Sequence, residues 1–346
     1  MNQRLTRRGF LKTSALGLTA LAFRSVAPFN RWEAEDSGDI ARVTIDSVSV
    51  HSQAWDESRI VSQRLRDEIV HLYYRVISDH GPAHNPIWYR VWGGYIHSAR
   101  LQHVKSRLNP VAAFIRQPRQ LAEVTVPYTQ SMRYRGNNTW EPLYRLYYES
   151  VHWVEGLLTG PDGGDWYRIW EAWSKLTYDV PAAHLRIIPD EELAPISPDV
   201  PVGKKRVEIS IANQTLKAYE DNREVFATRI SSGLNRNVPE GEIPWRTPTG
   251  TFHIISKMPS KHMGDGDLTS DIEAYELPGV PWVCFFHETG VATHGTYWHT
   301  NYGTPMSHGC INMRTEEAKW FYRWTTPTAG PQDSERRGYG TRIIVA

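Results

Sequence analysis

The feature that most constrains how this chain folds is a turn of small and polar residues around a cysteine, Ser307-His308-Gly309-Cys310-Ile311-Asn312. Glycine permits a sharp turn and lets another backbone approach closely. Ser and Asn side chains stabilise turns by bonding to nearby backbone groups. Upstream, His294 opens a Gly- and Tyr-containing loop that leads into this turn. A thiol with a pKa near ~8.5 is mostly un-ionised at neutral pH, and a histidine within reach can take its proton. The pattern predicts a nucleophile, Cys310, with His294 as its base.

The residues around this turn resemble the L,D-transpeptidase (YkuD) family, whose signature is a His-Gly pair followed by Ser-His-Gly-Cys-x-Asn or -Arg. The pair here is His294-Gly295. Two further stretches resemble the family, Thr247–Phe252 (TPTGTF) and Leu277–Trp282 (LPGVPW). The resemblance covers residues 204–346 and implies a catalytic domain built as a β-sandwich with one short helix.

The resemblance also implies a reaction on peptidoglycan stem peptides. The Cys310 thiolate would attack the carbonyl of the third stem residue and expel the terminal D-alanine, and an amine of a neighbouring stem would resolve the thioester. His294 would act as base and then acid, with the Gly295 carbonyl holding its other ring nitrogen. The N–H groups of Cys310 and Gly309 would stabilise the oxyanion. Carbapenem β-lactams are implied inhibitors. The residues implied to contact substrate or shape its site are Met263, Tyr297, Trp298, Ser307, His308, Gly309 and Asn312.

Other functions are open at this stage. Water as acceptor would make the protein an L,D-carboxypeptidase, and a wall-binding protein with weak or lost catalysis is a further alternative. Four histidines near the turn could instead hold zinc together with the thiol, namely His287, His294, His299 and His308. Their spacing fits no common structural zinc pattern, so neither a metal nor a cofactor is predicted. Cys284 is predicted to be a buried strand residue, not a disulfide partner of Cys310.

The charge balance argues against nucleic-acid binding, because 39 basic residues stand against 38 acidic ones. The N-terminus carries Arg7-Arg8-Gly9-Phe10-Leu11-Lys12 before a short apolar run, which resembles a twin-arginine export signal. The run is too short for a permanent membrane span. The sequence therefore predicts a signal peptide over residues 1–22, a linker over 23–42, and export to the periplasm or cell wall.

Strand signals dominate the rest of the chain. Residues 204–346 show alternating strands and a helical spacing over Thr315–Trp324. Ser256–Glu276 is irregular in pattern, which favours a loop, either a lid over the thiol or an ordinary connection. Residues 189–203 contain four prolines and are predicted to be an interdomain linker.

A weak internal repeat marks the N-terminal half. Trp88-Tyr89-Arg90-Val91-Trp92 leads to a second short run and an Ala-x-Leu, and the same order recurs from Trp166-Tyr167-Arg168-Ile169-Trp170. The pattern resembles bacterial SH3-like barrels and predicts one or two such modules, at 43–110 and 120–188. They would bind cell wall or serve as a scaffold for the catalytic domain. The predicted protein is a mainly β monomer.

Overall fold

The computed structural model describes residues 39–172, 175–236, 245–264 and 276–346. The predicted signal peptide, the first part of the predicted linker and residues 265–275 of the predicted lid lie outside these ranges. Mainly β architecture with one α-helix is confirmed within them. No helix in the described part is long and apolar enough to cross a membrane.

Two small sheets come first. Their strands are β1 (Ile40–Val43), β2 (Ser47–His51), β3 (Ile60–Leu65), β4 (Ile69–His71), β5 (Tyr74–Ile77), β6 (Ile87–Val91), β7 (Gly94–His97) and β8 (Leu101–Val104). The sheet orders are β4-β1-β8 and β3-β2-β7-β6-β5. Alternating residues such as Val50 and Ile96 bury their side chains in a common apolar core. Because β1 starts at Ile40 and buries Ala41 and Arg42, the predicted linker 23–42 is wrong at its end.

A seven-stranded antiparallel sheet follows. Its strands are β9 (Gln120–Val124), β10 (Tyr128–Gly136), β11 (Thr139–Tyr147), β12 (Val151–Thr159), β13 (Asp165–Trp170), β14 (Thr177–Pro181) and β15 (Leu185–Ile187), in the order β11-β10-β14-β13-β12-β9-β15.

The sequence repeat corresponds to a repeat of elements. In each copy two antiparallel strands are followed by a 3₁₀ turn and a closing strand. The first copy consists of β6, β7, Ser98–Arg100 and β8, and the second of β13, β14, Ala182–His184 and β15. The leucine of Ala-x-Leu is buried in the closing strand in both copies, whereas the alanine at the turn is buried at Ala99 and only partly buried at Ala183. The assignment of either unit as SH3-like stays a prediction.

The C-terminal part consists of two five-stranded sheets and helix α1 (Thr315–Trp324), the helix predicted. The strands are β16 (Lys205–Ser210), β17 (Thr215–Glu220), β18 (Arg223–Arg229), β19 (Gly250–His253), β20 (Ser256–Gly264), β21 (Glu276–Phe285), β22 (Ala292–Gly295), β23 (Ile311–Met313), β24 (Arg336–Arg337) and β25 (Arg342–Val345). They pair as β18-β17-β16-β25-β19 and β23-β22-β21-β20-β24.

The loop predicted for Ser256–Glu276 is wrong for its first nine residues. Ser256–Gly264 form strand β20, which pairs with β21 along its length. A strand with little alternation of its own is stabilised here by the hydrogen bonds and apolar side chains of its partner, because β21 is almost continuously buried. Tyr275 lies outside the described residues.

One apolar core crosses the predicted linker. Leu121, Val151 and Trp153 of the seven-stranded sheet share a buried cluster with Trp282 and Phe321 of the C-terminal sheets and helix. Residues 189–203 are packed as well, since Leu193 is in the same cluster and Arg323 Nε donates to the Ala194 carbonyl at 2.8 Å. This segment is therefore an ordered connection between two packed parts.

The first sheets contact the loop that follows His294. Arg42 Nη2 donates to the Tyr297 carbonyl at 3.0 Å, and Thr300 Oγ1 donates to the Ser98 carbonyl at 2.7 Å. Asn85 Nδ2 donates to Asn301 Oδ1 at 3.1 Å. The N-terminal half thus holds the backbone of residues 297–301 in place.

Candidate active site

Two parallel strands bring the predicted base and nucleophile to one place. In the β22–β23 pair, Thr293 lies opposite Ile311 and His294 lies opposite Asn312. Cys310 directly precedes β23, so it lies beside β22, where the Ala292 backbone hydrogen-bonds to its thiol. Residues 16 positions apart in the chain are therefore neighbours in the sheet.

The Cys310 turn is fixed by Ser307, as predicted from its side-chain chemistry. Ser307 Oγ donates to the Cys310 carbonyl at 2.5 Å and accepts from the Gly309 N–H at 3.2 Å. Gly309 has a φ of +114°, a conformation that a residue with a Cβ rarely adopts. Because its N–H already has an acceptor, Gly309 is not the oxyanion donor considered from the sequence.

A second layer behind the turn consists of Thr247 and Gly233. Thr247 Oγ1 donates to the Gly309 carbonyl at 2.8 Å and accepts from the Gly233 N–H at 2.8 Å. A Cβ on Gly233 would lie 2.7 Å from the Gly309 Cα, so the two backbones are in direct contact. Neither residue had a predicted role, although Thr247 opens the TPTGTF stretch, which was the available signal.

The His294 ring is oriented as the resemblance implies. Its Nδ1 lies 2.9 Å from the Gly295 carbonyl, which makes Nδ1–H the donor and leaves Nε2 as the basic nitrogen. Burial lowers the pKa of His294 to about 4, and the hydrogen bond to Gly295 opposes this only in part. The ring is therefore a neutral imidazole at neutral pH.

Cys310 lies in apolar surroundings. It is partly exposed and packs against a buried apolar cluster that includes Val283, Ala292 and Tyr297, as do Met258, Met263, Phe285 and Trp298. Burial raises the pKa of the Cys310 thiol to about 11, and its hydrogen bond with the Ala292 backbone acts in the opposite direction. The resting site thus holds a neutral thiol and a neutral imidazole, because burial stabilises neither the Cys310 thiolate nor the His294 imidazolium. The Trp298 ring centroid lies 5.7 Å from that of His294, and contact of Met263 or Trp298 with substrate stays a prediction.

Two residues predicted to contact substrate are instead buried. Tyr297 is 1% exposed and its hydroxyl donates to the Pro278 carbonyl at 2.9 Å. Asn312 is 1% exposed and its side-chain amide lies 2.8 Å from His299 Nε2. Both side chains lie below the surface of the site, as that of His294 does, and their contact with substrate stays a prediction.

The remaining histidines do not converge on a metal. His308 is exposed, with its ring centroid 4.0 Å from that of Trp245, and burial lowers the pKa of the buried His299 to about 3. Among the described residues no three His, Cys, Asp or Glu side chains are grouped as metal ligands would be.

Cys284 is in strand β21, as predicted. It is 0% exposed, and its thiol lies 3.8 Å from Thr325 Oγ1. Both cysteines are free thiols.

An open cavity of about 690 Å³ lies behind the turn. It is lined mainly by apolar groups, including Ile211, Pro248, Val291 and Pro305, with Gly233 and Thr247 at the side of the turn. Arg246 and His287 add polar groups at its wall. Among the described residues that line it, neither Cys310 nor His294 is present.

A thiol beside a buried imidazole, with the imidazole fixed by a carbonyl, is a site suited to acyl transfer. Residues 204–345 match the family model of YkuD, the L,D-transpeptidase catalytic domain. This part of the chain is therefore a catalytic domain of the L,D-transpeptidase type.

Known proteins are similar to parts of this chain. L,D-transpeptidase 2 of Mycobacterium tuberculosis is 25% identical over 128 residues, which is 33% of this chain and 29% of that protein. This chain therefore spans less than a third of that relative. An L,D-transpeptidase from Mycobacterium smegmatis is 17% identical with a TM-score of 0.32, covering 72% of this chain and 92% of that one. L,D-transpeptidase LdtMt1 in complex with imipenem is 16% identical with a TM-score of 0.32, covering 70% and 94%. TM-scores of this size do not establish a common arrangement of the whole molecule.

Proposed function

We propose that this protein is an exported L,D-transpeptidase that cross-links peptidoglycan stem peptides through a thioester on Cys310. The observation that carries this proposal is the pairing of the Cys310 turn with His294, whose Nδ1 lies 2.9 Å from the Gly295 carbonyl. The resemblance of the surrounding residues to the family supplies the substrate class.

The reaction begins from a neutral pair. With the thiol pKa about 11 and the imidazole pKa about 4, a thiolate–imidazolium pair is strongly disfavoured before substrate binds. His294 Nε2 therefore takes the thiol proton as Sγ attacks the carbonyl of the third stem residue. The oxyanion accepts from the Cys310 N–H. As the tetrahedral intermediate collapses, the C–N bond breaks and His294 returns the proton to the departing D-alanine amine.

The second half-reaction reverses these roles. An amine of a neighbouring stem attacks the thioester carbonyl while His294 takes its proton. As the C–S bond breaks, His294 returns that proton to the departing Cys310 thiolate. The new amide is the cross-link. Water in place of the amine would release the shortened stem, as in an L,D-carboxypeptidase.

The N-terminal half acts as a scaffold in this proposal. Its contacts with residues 297–301 and its share of the core around Trp282 stabilise the loop that carries Trp298, whose ring centroid lies 5.7 Å from that of His294. Export through the twin-arginine pathway to the periplasm or cell wall follows from the paired arginines at 7 and 8.

Mass spectrometry of muropeptides incubated with the protein tests this function. The expected product is a cross-linked dimer with loss of D-alanine, formed by the parent and by Cys284→Ser but not by Cys310→Ala. A shortened monomer without dimers would assign carboxypeptidase activity. A Cys310→Ala variant that still forms dimers would refute the assignment of the nucleophile.

A further inference from the structure

Thr247 contacts the peptide unit that joins Gly309 to Cys310, and only from its carbonyl side. A trans peptide is planar, with its C=O and N–H pointing in opposite directions. A hydrogen bond that fixes the Gly309 carbonyl therefore also fixes the direction of the Cys310 N–H. That N–H points away from Thr247.

The Cys310 N–H is available for a substrate. No acceptor for it lies among the described residues, whereas the preceding N–H, of Gly309, donates to Ser307 Oγ. The next peptide is held separately, because Ser307 Oγ donates to the Cys310 carbonyl. One donor in the turn is thus left over, and its orientation depends on Thr247.

The Thr247 hydroxyl is itself held in place. It is 1% exposed, and the Gly233 N–H donates to its oxygen at 2.8 Å, which directs its own proton to the Gly309 carbonyl. A chain of such bonds polarises the groups in it, so a peptide whose carbonyl accepts a bond becomes a better donor at its N–H. Thr247 then both aims and strengthens the donor.

We propose that Thr247 is the positioning residue of the oxyanion site: it acts through the Gly309–Cys310 peptide to hold the Cys310 N–H toward the developing oxyanion. This inference rests on the proposed acyl transfer at Cys310. Thr247 touches neither substrate nor thiol, so it is not itself a catalytic residue.

The test compares acylation of Cys310 by a carbapenem in three full-length variants. Thr247→Val keeps the shape and removes the hydroxyl, Thr247→Ser keeps the hydroxyl, and Thr325→Val is the matched control. Thr325 is also 1% exposed and donates to a backbone carbonyl, that of Phe321 at 2.9 Å. Its loss should reduce stability by a similar amount at a distance from the turn.

The expected results separate positioning from stability. Loss of an oxyanion donor costs about 10²–10³ in rate, and Thr247→Val should lose about tenfold or more because the donor is misdirected but present. The carbapenem concentration that gives half the maximal rate should stay parental, so that the loss appears in the maximal rate. Thr247→Ser should restore the maximal rate. The thioester carbonyl stretch of the Thr247→Val adduct should move to higher frequency, since the hydrogen bond to its oxygen is weaker. Thr325→Val should show the parental rate and frequency.

The outcomes are distinguishable. A parent that forms no adduct on Cys310 refutes the proposed function itself. A parent that forms the adduct while folded Thr247→Val reacts at the same rate, with the same carbonyl frequency, refutes the role of Thr247. A folded Thr247→Ser variant that reacts as slowly as Thr247→Val also overturns the inference, because the hydroxyl would then not be what positions the donor.

Discussion

The neutral state of the Cys310–His294 pair predicts how acylation depends on pH in the parent and in His294→Ala. The parent needs both groups un-ionised, and their pKa values of about 11 and about 4 leave its rate flat from about pH 5 to pH 10. In His294→Ala only spontaneously formed thiolate attacks. Because pH 7 is four units below the Cys310 pKa of about 11, about one thiol in 10⁴ is ionised at that pH. The rate of this variant should therefore be far below the parental rate and rise about tenfold per pH unit.

Mass spectrometry of quenched carbapenem reactions between pH 5 and pH 10 measures both profiles as adduct on Cys310. His253→Ala is the control, because His253 lies in β19 with its Nδ1 2.9 Å from the Gly340 carbonyl; its profile should be flat like that of the parent. A parental rate that rises through a titration near pH 6 to 7 would show that an ion pair forms before attack. A flat profile for His294→Ala would remove His294 as the base.

Further predictions concern packing, acid stability and metals. Gly279 has a φ of +71° and a Cβ there would lie 2.3 Å from His152 Cε1, so Gly279→Ala should lower the free energy of unfolding by at least about 1–3 kcal/mol. Gly290 has a φ of +88° with open space around it, so Gly290→Ala should lower the free energy of unfolding by less in denaturant titrations. Equal losses for the two variants would contradict the close packing of Gly279 against His152. Burial lowers the pKa of His152 to about 3, so the unfolded chain alone gains a proton below about pH 6.5, and about 2 kcal/mol of stability is lost by pH 5. Denaturation at pH 7.5 and pH 5 should show a smaller loss for His152→Gln, and an equal loss would refute this account. Treatment with EDTA should leave muropeptide turnover unchanged; a loss restored by zinc would support the metal alternative.

The shared core predicts that the C-terminal part needs the N-terminal half for its stability. A fragment beginning at residue 204 would lack Trp153 and Leu193, which share the buried cluster around Trp282. Removing one large core side chain costs about 3–5 kcal/mol, and this truncation removes several. The architecture therefore favours one cooperative unit over a catalytic domain joined by a free linker.

Local patterns were sufficient for much of the fold. Helix α1 lies at the predicted residues because Ala318, Phe321 and Tyr322 recur at helical spacing and are buried. The Cys310 turn and the His294–Gly295 contact were likewise predictable, because each depends on residues within a few positions of one another. Strand β20 was not predictable, since its hydrogen bonds come from β21 and its own residues alternate poorly.

The chemistry of the site depended on residues distant in sequence. Thr247 reaches the Gly309 carbonyl across 62 positions, and the buried cluster against which Cys310 packs contains residues of other strands, such as Val283 and Ala292. Sequence by itself determined which side chains can act as nucleophile and base, because that is a property of residue type and local spacing. Only the tertiary structure decided their protonation and which donor remains for the oxyanion, because desolvation and hydrogen-bond direction are set by whatever packs around them.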